Sequence, residues 1–451
     1  MLPMLAIAEP AILSALKEAA SSSLAATLSA FALILILARL RVPLAASILA
    51  GAVALGLLYG RGAIEVARMT LLGAVEPRTI GLVIVVTLML ALSEAMRRSG
   101  QLDEIVRLAK SFLRRPAVTM AALPALIGLM PMPGGAQLSA PMVESAAGQA
   151  RVSRARLSAI NYWFRHIWEH WWPLYPGVMV AMSVTRSDVG QFIACQWPLG
   201  AIMAISGIWL FRKSHPELHR TGPRAPAGHA RKLLRATSTI WVILLVWAGA
   251  RALLNVVVGR PPSGSLADVL RRYLPLTAGL VVSFAWTIRM NRLAPSDVAA
   301  ALKRKSIYKL ALVVVTVMIF WYAIRHVDAA GKIAVELAEL RVPVGIVVAL
   351  LPLIAGMVTG LAVGFVGASF PIVLAMVEQM PDHGSIRPYI ALAYAFGHLG
   401  QMVSPLHLCQ VVSNEYFGAD SRAVYRRLLV PAVLTGAVAI GYFWLLKALL
   451  G

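Results

Sequence analysis

Charge is scarce in this chain. Of 451 residues only 14% are Asp, Glu, Lys or Arg, against about 25% in ordinary soluble domains, so no sizeable soluble domain is expected. Cysteine is almost absent: Cys195 and Cys409 fall in separate apolar segments with no CxxC or other metal-type spacing, and each is read as a small apolar residue. The glycine-rich stretch GLAVGFVG (360–367) lacks the Lys-Ser/Thr ending of a phosphate loop, which removes ATP-driven transport. Residues 1–20 lack the basic start of a secretory signal and read as a short helix in or near the outer interface.

What the chain has instead is apolar length. Hydrophobic residues make up 59%, and they recur in runs long enough to cross a hydrocarbon core about 30 Å thick. Ten crossings are predicted, at about 21–38, 43–59, 79–96, 160–184, 189–211, 237–258, 273–288, 308–324, 388–417 and 428–449. The formal charge is +22, with 42 Lys and Arg against 20 Asp and Glu. Twenty-seven of those 42 cations fall in loops on one side of this arrangement. That asymmetry is a positive-inside signal, so the basic excess orients the protein and recruits no nucleic acid. Both termini are predicted outside.

Two halves flank a basic, Pro- and Gly-containing linker at 212–236, a composition that marks a solvated connection. In each half an amphipathic stretch precedes an apolar segment of matching form. Leu123-Pro124 aligns with Leu351-Pro352, and Pro141 with Pro371. Five crossings per half is an odd number, so the second half (237–451) enters inverted relative to the first (21–211). Inverted repeats of this kind are a transporter signature.

Segments 116–150 and 343–380 read as re-entrant hairpins. Adjacent glycines and two prolines in PMPGGAQ (131–137), and three glycines in GLAVGFVGAS (360–369), interrupt them. Irregular backbone at membrane depth survives only where protein, water or a ligand satisfies it. Ser139 and Ser369 each stand two residues before a proline, which suggests capped helix starts at both tips. The spans after the hairpins are broken at WWPLYPG (171–177) and GQMVSPLH (400–407), with Ser404-Pro405 as another predicted cap. Helix starts converging near the midplane favour an anion. The predicted substrate or ion site is therefore Pro133, Gly134, Gly135, Ala136, Gln137 and Ser139; Tyr175, Pro176 and Gly177; Gly364, Gly367, Ala368 and Ser369; and Gly400, Gln401 and Ser404.

FRHIWEHWWP (164–173) contains His166, Glu169 and His170 in the H-x-x-E-H order of one zinc-protease class. Pro173 follows closely and no third ligand is evident, so hydrolysis is disfavoured. Two readings remain. In one, Trp163, Trp168, Trp171 and Trp172 form an interfacial belt and Arg165 snorkels. In the other, Arg165, His166, Glu169 and His170, with His398 and His407 in the second half, form a proton or charge relay.

The motifs MPMPGGAQLSAPMV, FRHIWEHWWPLYPG, GFVGASFP and SPLHLCQVVSNEYF resemble an uncharacterised prokaryotic membrane-protein family within the ion transporter superfamily, which also holds divalent-anion/sodium symporters, gluconate permeases and tripartite carboxylate carriers. The resemblance covers residues 21–449. It implies an all-α polytopic fold of two inverted repeats, each with five crossings, one re-entrant hairpin and a broken helix, as well as elevator-type movement and a possible homodimer. The Ser-Asn-Thr triplets of the symporters are missing, so their specificity does not carry over. The expected function is secondary transport of a small carboxylate-like anion across the prokaryotic plasma membrane, coupled to Na⁺ or H⁺, with no metal or other cofactor. A cation/proton antiporter, an intramembrane zinc protease and a non-transporting scaffold are the alternatives.

Overall fold

The computed structural model describes residues 22–129, 135–148, 150–212, 216–219, 226, 228–257, 266–329, 332, 333, 336, 343–380 and 384–450. Among these, every regular element is a helix. The chain opens with α1 (Ser23–Arg39), α2 (Leu44–Leu58), α3 (Ala63–Val75), α4 (Pro77–Arg98) and the amphipathic α5 (Gln101–Lys110). A hairpin of α6 (Pro116–Gly128) and α7 (Gly135–Ala147) follows. Next come the interrupted pair α8 (Arg154–Arg165) and α9 (Pro176–Val184), then α10 (Val189–Ser206). The later part begins with α11 (His229–Ala236), α12 (Ser238–Val257), α13 (Leu266–Asn291), α14 (Pro295–Leu302) and α15 (Lys305–His326). Its hairpin is α16 (Val344–Thr359) and α17 (Ala362–Glu378), its interrupted pair α18 (Arg387–Met402) and α19 (Leu408–Phe417), and its last helix α20 (Ser421–Leu450).

Among the described residues, six helical runs are long and apolar enough to cross a membrane: α4, α10 with its short extension to Phe211, α12, α13, the run from α14 to the end of α15, and α20. Helices α1 and α2 are apolar but shorter, and two predicted crossings are the interrupted pairs. Helix α3 lies between two predicted crossings. It is largely apolar, but at 13 residues and with Glu65 and Arg68 in it it is too short and too charged to read as a crossing. The order of hairpin, interrupted pair and long helix occurs twice. Pro124 and Pro352 both sit inside outgoing hairpin helices, and Pro141 and Pro371 inside returning ones. The predicted N-terminal helix and most of 329–340 and 212–228 lie outside the described residues.

Close packing positions the second break. A Cβ on Gly356 would meet the backbone of Gly397 and Gln401, and one on Gly400 would meet the Leu353 carbonyl. Helices α16 and α18 therefore touch backbone to backbone where side chains are missing, as small residues allow between membrane helices. The buried Glu94 carboxylate of α4 takes Arg97 at 2.5 Å, Arg98 at 3.0 Å and also Arg304.

The start of α1 is held from far along the chain. Glu336 accepts from the Ser22 hydroxyl at 2.5 Å and from the Ser23 and Leu24 N–H groups at 2.7 and 2.9 Å. Burial pushes this carboxyl up, but the bonds from Ser22, Leu24 and Ser23 outweigh it and hold it below the usual Glu value. A depressed carboxyl stabilises above its unfolded value and loses that contribution as pH falls through the folded one. Glu336→Gln is accordingly expected to speed amide exchange at the start of α1 at neutral pH, by the order of a helix cap, about 1 kcal/mol. The difference from the natural protein should vanish in acid.

Candidate functional site

Two proline-imposed gaps create the site. Helix α8 stops at Arg165, and a run of turns and irregular backbone containing Pro173 leads to α9, which begins at Pro176. Proline lacks an N–H and clashes with the preceding helical turn, which disfavours helix in the residues ahead of Pro173 and Pro176. Helix α18 stops at Met402, and Pro405 lies in the turn before α19. Ser404 donates to the Met357 carbonyl at 2.7 Å and accepts from the Leu406 N–H at 3.2 Å. It caps this turn and ties it to the second hairpin. It does not cap α19, whose first residue follows His407.

Between the gaps lies a buried polar cluster. The side chain of Glu169 accepts from Gln401 Nε2 at 2.7 Å. Its two oxygens also stand 3.8 Å from His166 Nε2 and 3.7 Å from His398 Nε2. His170 and His398 pack with ring centroids 4.2 Å apart, and His166 and His407 at 4.7 Å. Tyr394 donates to the Glu169 carbonyl at 2.8 Å. Arg165, His166, Glu169, His170, His398, Gln401 and His407 are all buried. One carboxylate is thus contacted by imidazoles from both interrupted helices.

The guanidinium of Arg165 lies against Gly135, the first residue of α7, so closely that a Cβ there would overlap it. A helix start carries a partial positive charge of about +0.5. Arg165 adds a full one at the same place, facing the Glu169 carboxylate and the Cys409 thiol. Tyr175 donates to the Gly128 carbonyl at the end of α6, so both sides of the first hairpin tip are tied to the first gap. The second tip meets the second gap: Gly360, in the left-handed region at φ 62°, lies against Ser404 and the His407 backbone. A Cβ on Gly177 in α9 would strike Ala362, the first residue of α17.

The six relay candidates therefore come together, as do Gly135, Tyr175, Pro176, Gly177, Gln401 and Ser404 around them. Other predicted site residues stand elsewhere. Gln137 is exposed. Ser139 is inside α7, bonded back to Gly135 and Ala136, and Ser369 is inside α17, bonded to Phe365. Neither is a cap, because α7 and α17 begin four and seven residues earlier. The turn of the second hairpin is at Gly360, so Gly364, Gly367 and Ala368 are helical; Gly364 faces Thr359 and Gly367 faces Val317. Gly400 serves the α16–α18 contact, and Ala136 accepts from Asn161 Nδ2 at 3.1 Å. Pro133 and Gly134 lie outside the described residues.

Both other readings of FRHIWEHWWP meet obstacles. His166 and His170 are not on one helical face; they sit in turns, one facing His407 and the other His398. The belt reading fails for Trp163, which is buried and donates to the Met203 carbonyl at 2.8 Å, and for Arg165, which is only 3% exposed. Sequence reasoning missed Cys409, which lies with His166 and His407, as well as Tyr162, Asn161 and Tyr394. Nothing in their local pattern marked them, since each joins the cluster through a partner on another helix.

This is an all-α, multi-pass membrane protein with a fold of the kind seen in solved membrane transporters. It belongs to a family described as "Protein of unknown function (DUF401)", whose model matches residues 20–225 and 265–445. No curated protein matches the chain in sequence. Among solved structures it resembles the YdaH transporter of Alcanivorax borkumensis, described as having an unusual topology, with TM-score 0.55 and 15% identity over 82% of this chain and 84% of that one. It also resembles MtrF of Neisseria gonorrhoeae, described as illuminating a class of antimetabolite efflux pumps. There the TM-score is 0.54 and the identity 16%, over 85% and 84% of the two chains.

Proposed function

We propose that the protein is a secondary transporter that couples movement of a small carboxylate-like anion to protons across a prokaryotic plasma membrane. The observation that carries this reading is the buried set of one guanidinium, one carboxylate and four imidazoles gathered by the two interrupted helices. Ionisable groups at membrane depth are costly and cluster on ion and substrate paths. Arg165 on the helix start of α7 supplies the positive field for an anion. Glu169 with His166 and His398 supplies a carboxyl and two imidazoles close enough to hand a proton between the two interrupted helices. Sodium coupling has less support, because the centre offers nitrogens where Na⁺ prefers oxygens.

A cleft of about 470 Å³ lined by Pro405, Gln410, Asn414, Glu415 and Tyr425 borders the second gap and is the natural approach to it. The cluster itself is closed, so transport requires the hairpins and broken helices to shift relative to their surroundings, as in the elevator-type movement that the family resemblance implies.

Proteoliposomes test the proposal. Small labelled carboxylates, sulfate and phosphate are offered under an imposed pH gradient, a sodium gradient, or neither. Uptake of one anion class driven by the proton gradient is expected. A class that binds should also stabilise the purified protein, by about 2.7 kcal/mol at a hundred times its dissociation constant. Uptake driven by sodium alone would overturn the coupling assignment. Sodium–proton exchange indifferent to every anion would replace the proposal with an antiporter.

A further inference from the structure

One face of the same cluster has the chemistry of a metal centre. His166, His407 and Cys409 each present a ligand atom, and the three lie within 4.8 Å of one another. The other ring nitrogen of each histidine is already committed. His166 Nδ1 is 2.6 Å from the Tyr162 carbonyl and His407 Nδ1 is 3.2 Å from the Gln401 carbonyl. A carbonyl can only accept, so both Nδ1 atoms carry the proton, and both Nε2 atoms present lone pairs when the rings are neutral. That is the arrangement by which metal-binding histidines are held, with the outer nitrogen bonded to a backbone oxygen. His166 Nε2 is fully enclosed, and the group it faces at the cluster is the Cys409 thiol. A nitrogen lone pair set against a thiol is satisfied by a Lewis acid that both can ligate as well as by the thiol proton.

We infer that the crossing of the two gaps binds a divalent transition metal of the zinc class. Its ligands are His166 Nε2, His407 Nε2 and the thiolate of Cys409, with the Glu169 carboxylate, 3.8 Å from His166 Nε2, as the nearest further donor. Imidazole and thiolate together select zinc and its chemical relatives over magnesium or calcium. A tetrahedral site with bonds of 2.0–2.3 Å needs ligand atoms about 3.3–3.8 Å apart, so the three groups close inward by about 1 Å on binding. The thiol proton leaves as the metal enters. Because the ligands come from α19, the turn before it, and the gap after α8, a bound ion clamps the two interrupted helices together. Zinc is therefore an inhibitor of any movement between them.

The inference shares His166, His407 and Glu169 with the cluster on which the proposed transport function rests, but Cys409 has no part in that reading, so the two ideas fail separately. The test reads no transport. The intact protein in detergent is freed of metal and titrated with Co²⁺. The expected result is a one-to-one complex with tetrahedral visible bands and a thiolate-to-cobalt band in the near ultraviolet. Both are displaced by Zn²⁺. Cys409→Ser should remove the thiolate band, Cys195→Ser should keep it, and His407→Gln should weaken binding by at least about tenfold. In the Cys195→Ser protein, Zn²⁺ should also slow alkylation of Cys409 more than tenfold, a readout that does not depend on a second variant folding. Absence of the thiolate band from the natural protein, its persistence in Cys409→Ser, or unchanged alkylation with Zn²⁺ would each overturn the assignment.

Discussion

Glu169→Gln is expected to abolish proton-driven anion uptake while leaving the protein folded. Glutamine is nearly the same size and keeps an oxygen for the Gln401 amide, which donates to Glu169 at 2.7 Å. It removes the ionisable carboxyl that stands 3.8 Å from His166 and 3.7 Å from His398. With no carboxylate between them, the imidazoles have no acceptor for a proton arriving from either side. Uptake under an imposed pH gradient should fall more than about tenfold, a barrier change of about 1.4 kcal/mol or greater. Exchange of anion across the membrane with no gradient should survive, because Arg165 and the start of α7 are untouched. Glu169→Ala is expected to be worse in a different way, since it leaves a cavity and an unpaired buried Gln401 amide, at a cost of about 1–3 kcal/mol for the amide alone. A Glu169→Gln protein that concentrates the anion with unchanged proton dependence would sink the assignment of Glu169.

The fold class was legible because its cause is local. Apolar runs, Pro173 and Pro176 in one span, and Pro405 in another announce membrane helices and their interruptions without knowledge of partners. The histidines could likewise be nominated, since charged and titratable residues beside a break are conspicuous in an oily chain. Pairings were not legible. That His166 meets His407 while His170 meets His398 depends on how the gap after α8 meets α18 and the turn after it, which no spacing encodes. Cys409 looked inert because its ligand-like neighbours stand on the other half of the chain or two residues away in a turn.

The hairpins show a subtler limit. Ser139-Ala-Pro141 and Ser369-Phe-Pro371 have the composition of helix starts, yet both lie inside helices. Mid-helix proline is tolerated in a membrane bundle because neighbouring helices and hydroxyls satisfy the freed backbone groups. The Ser369 hydroxyl instead donates one turn back, to the Phe365 carbonyl at 2.6 Å, so it is occupied within the helix and not at a helix start.

Three glycines should respond to enlargement in three distinct ways, and Gly135 has the largest functional effect. A Cβ on Gly128 would run into the backbone carbonyl of Arg165, which cannot retreat without moving the end of α8. Gly128→Ala is therefore a folding defect, with an overpacking cost of about 1–3 kcal/mol or more. A Cβ on Gly367 would meet Val317 in the α15–α17 contact, away from the charged cluster, so Gly367→Ala should lower stability and leave coupling intact. The three atoms nearest a Cβ on Gly135 all belong to the guanidinium of Arg165, the far end of a flexible side chain. The protein can accommodate Gly135→Ala by swinging Arg165 aside, and it is expected to fold and insert normally. It should nevertheless lose most anion uptake, because the charge has left the start of α7. Arg165→Met should lose the same uptake by removing the charge outright. If both act through one guanidinium, the double variant is no worse than Arg165→Met, since contacting residues are not additive. Uptake and thermal unfolding of the three proteins decide the matter. Losses that multiply in the double variant, or full uptake by Gly135→Ala, would show that Arg165 does not hold the anion at the hairpin.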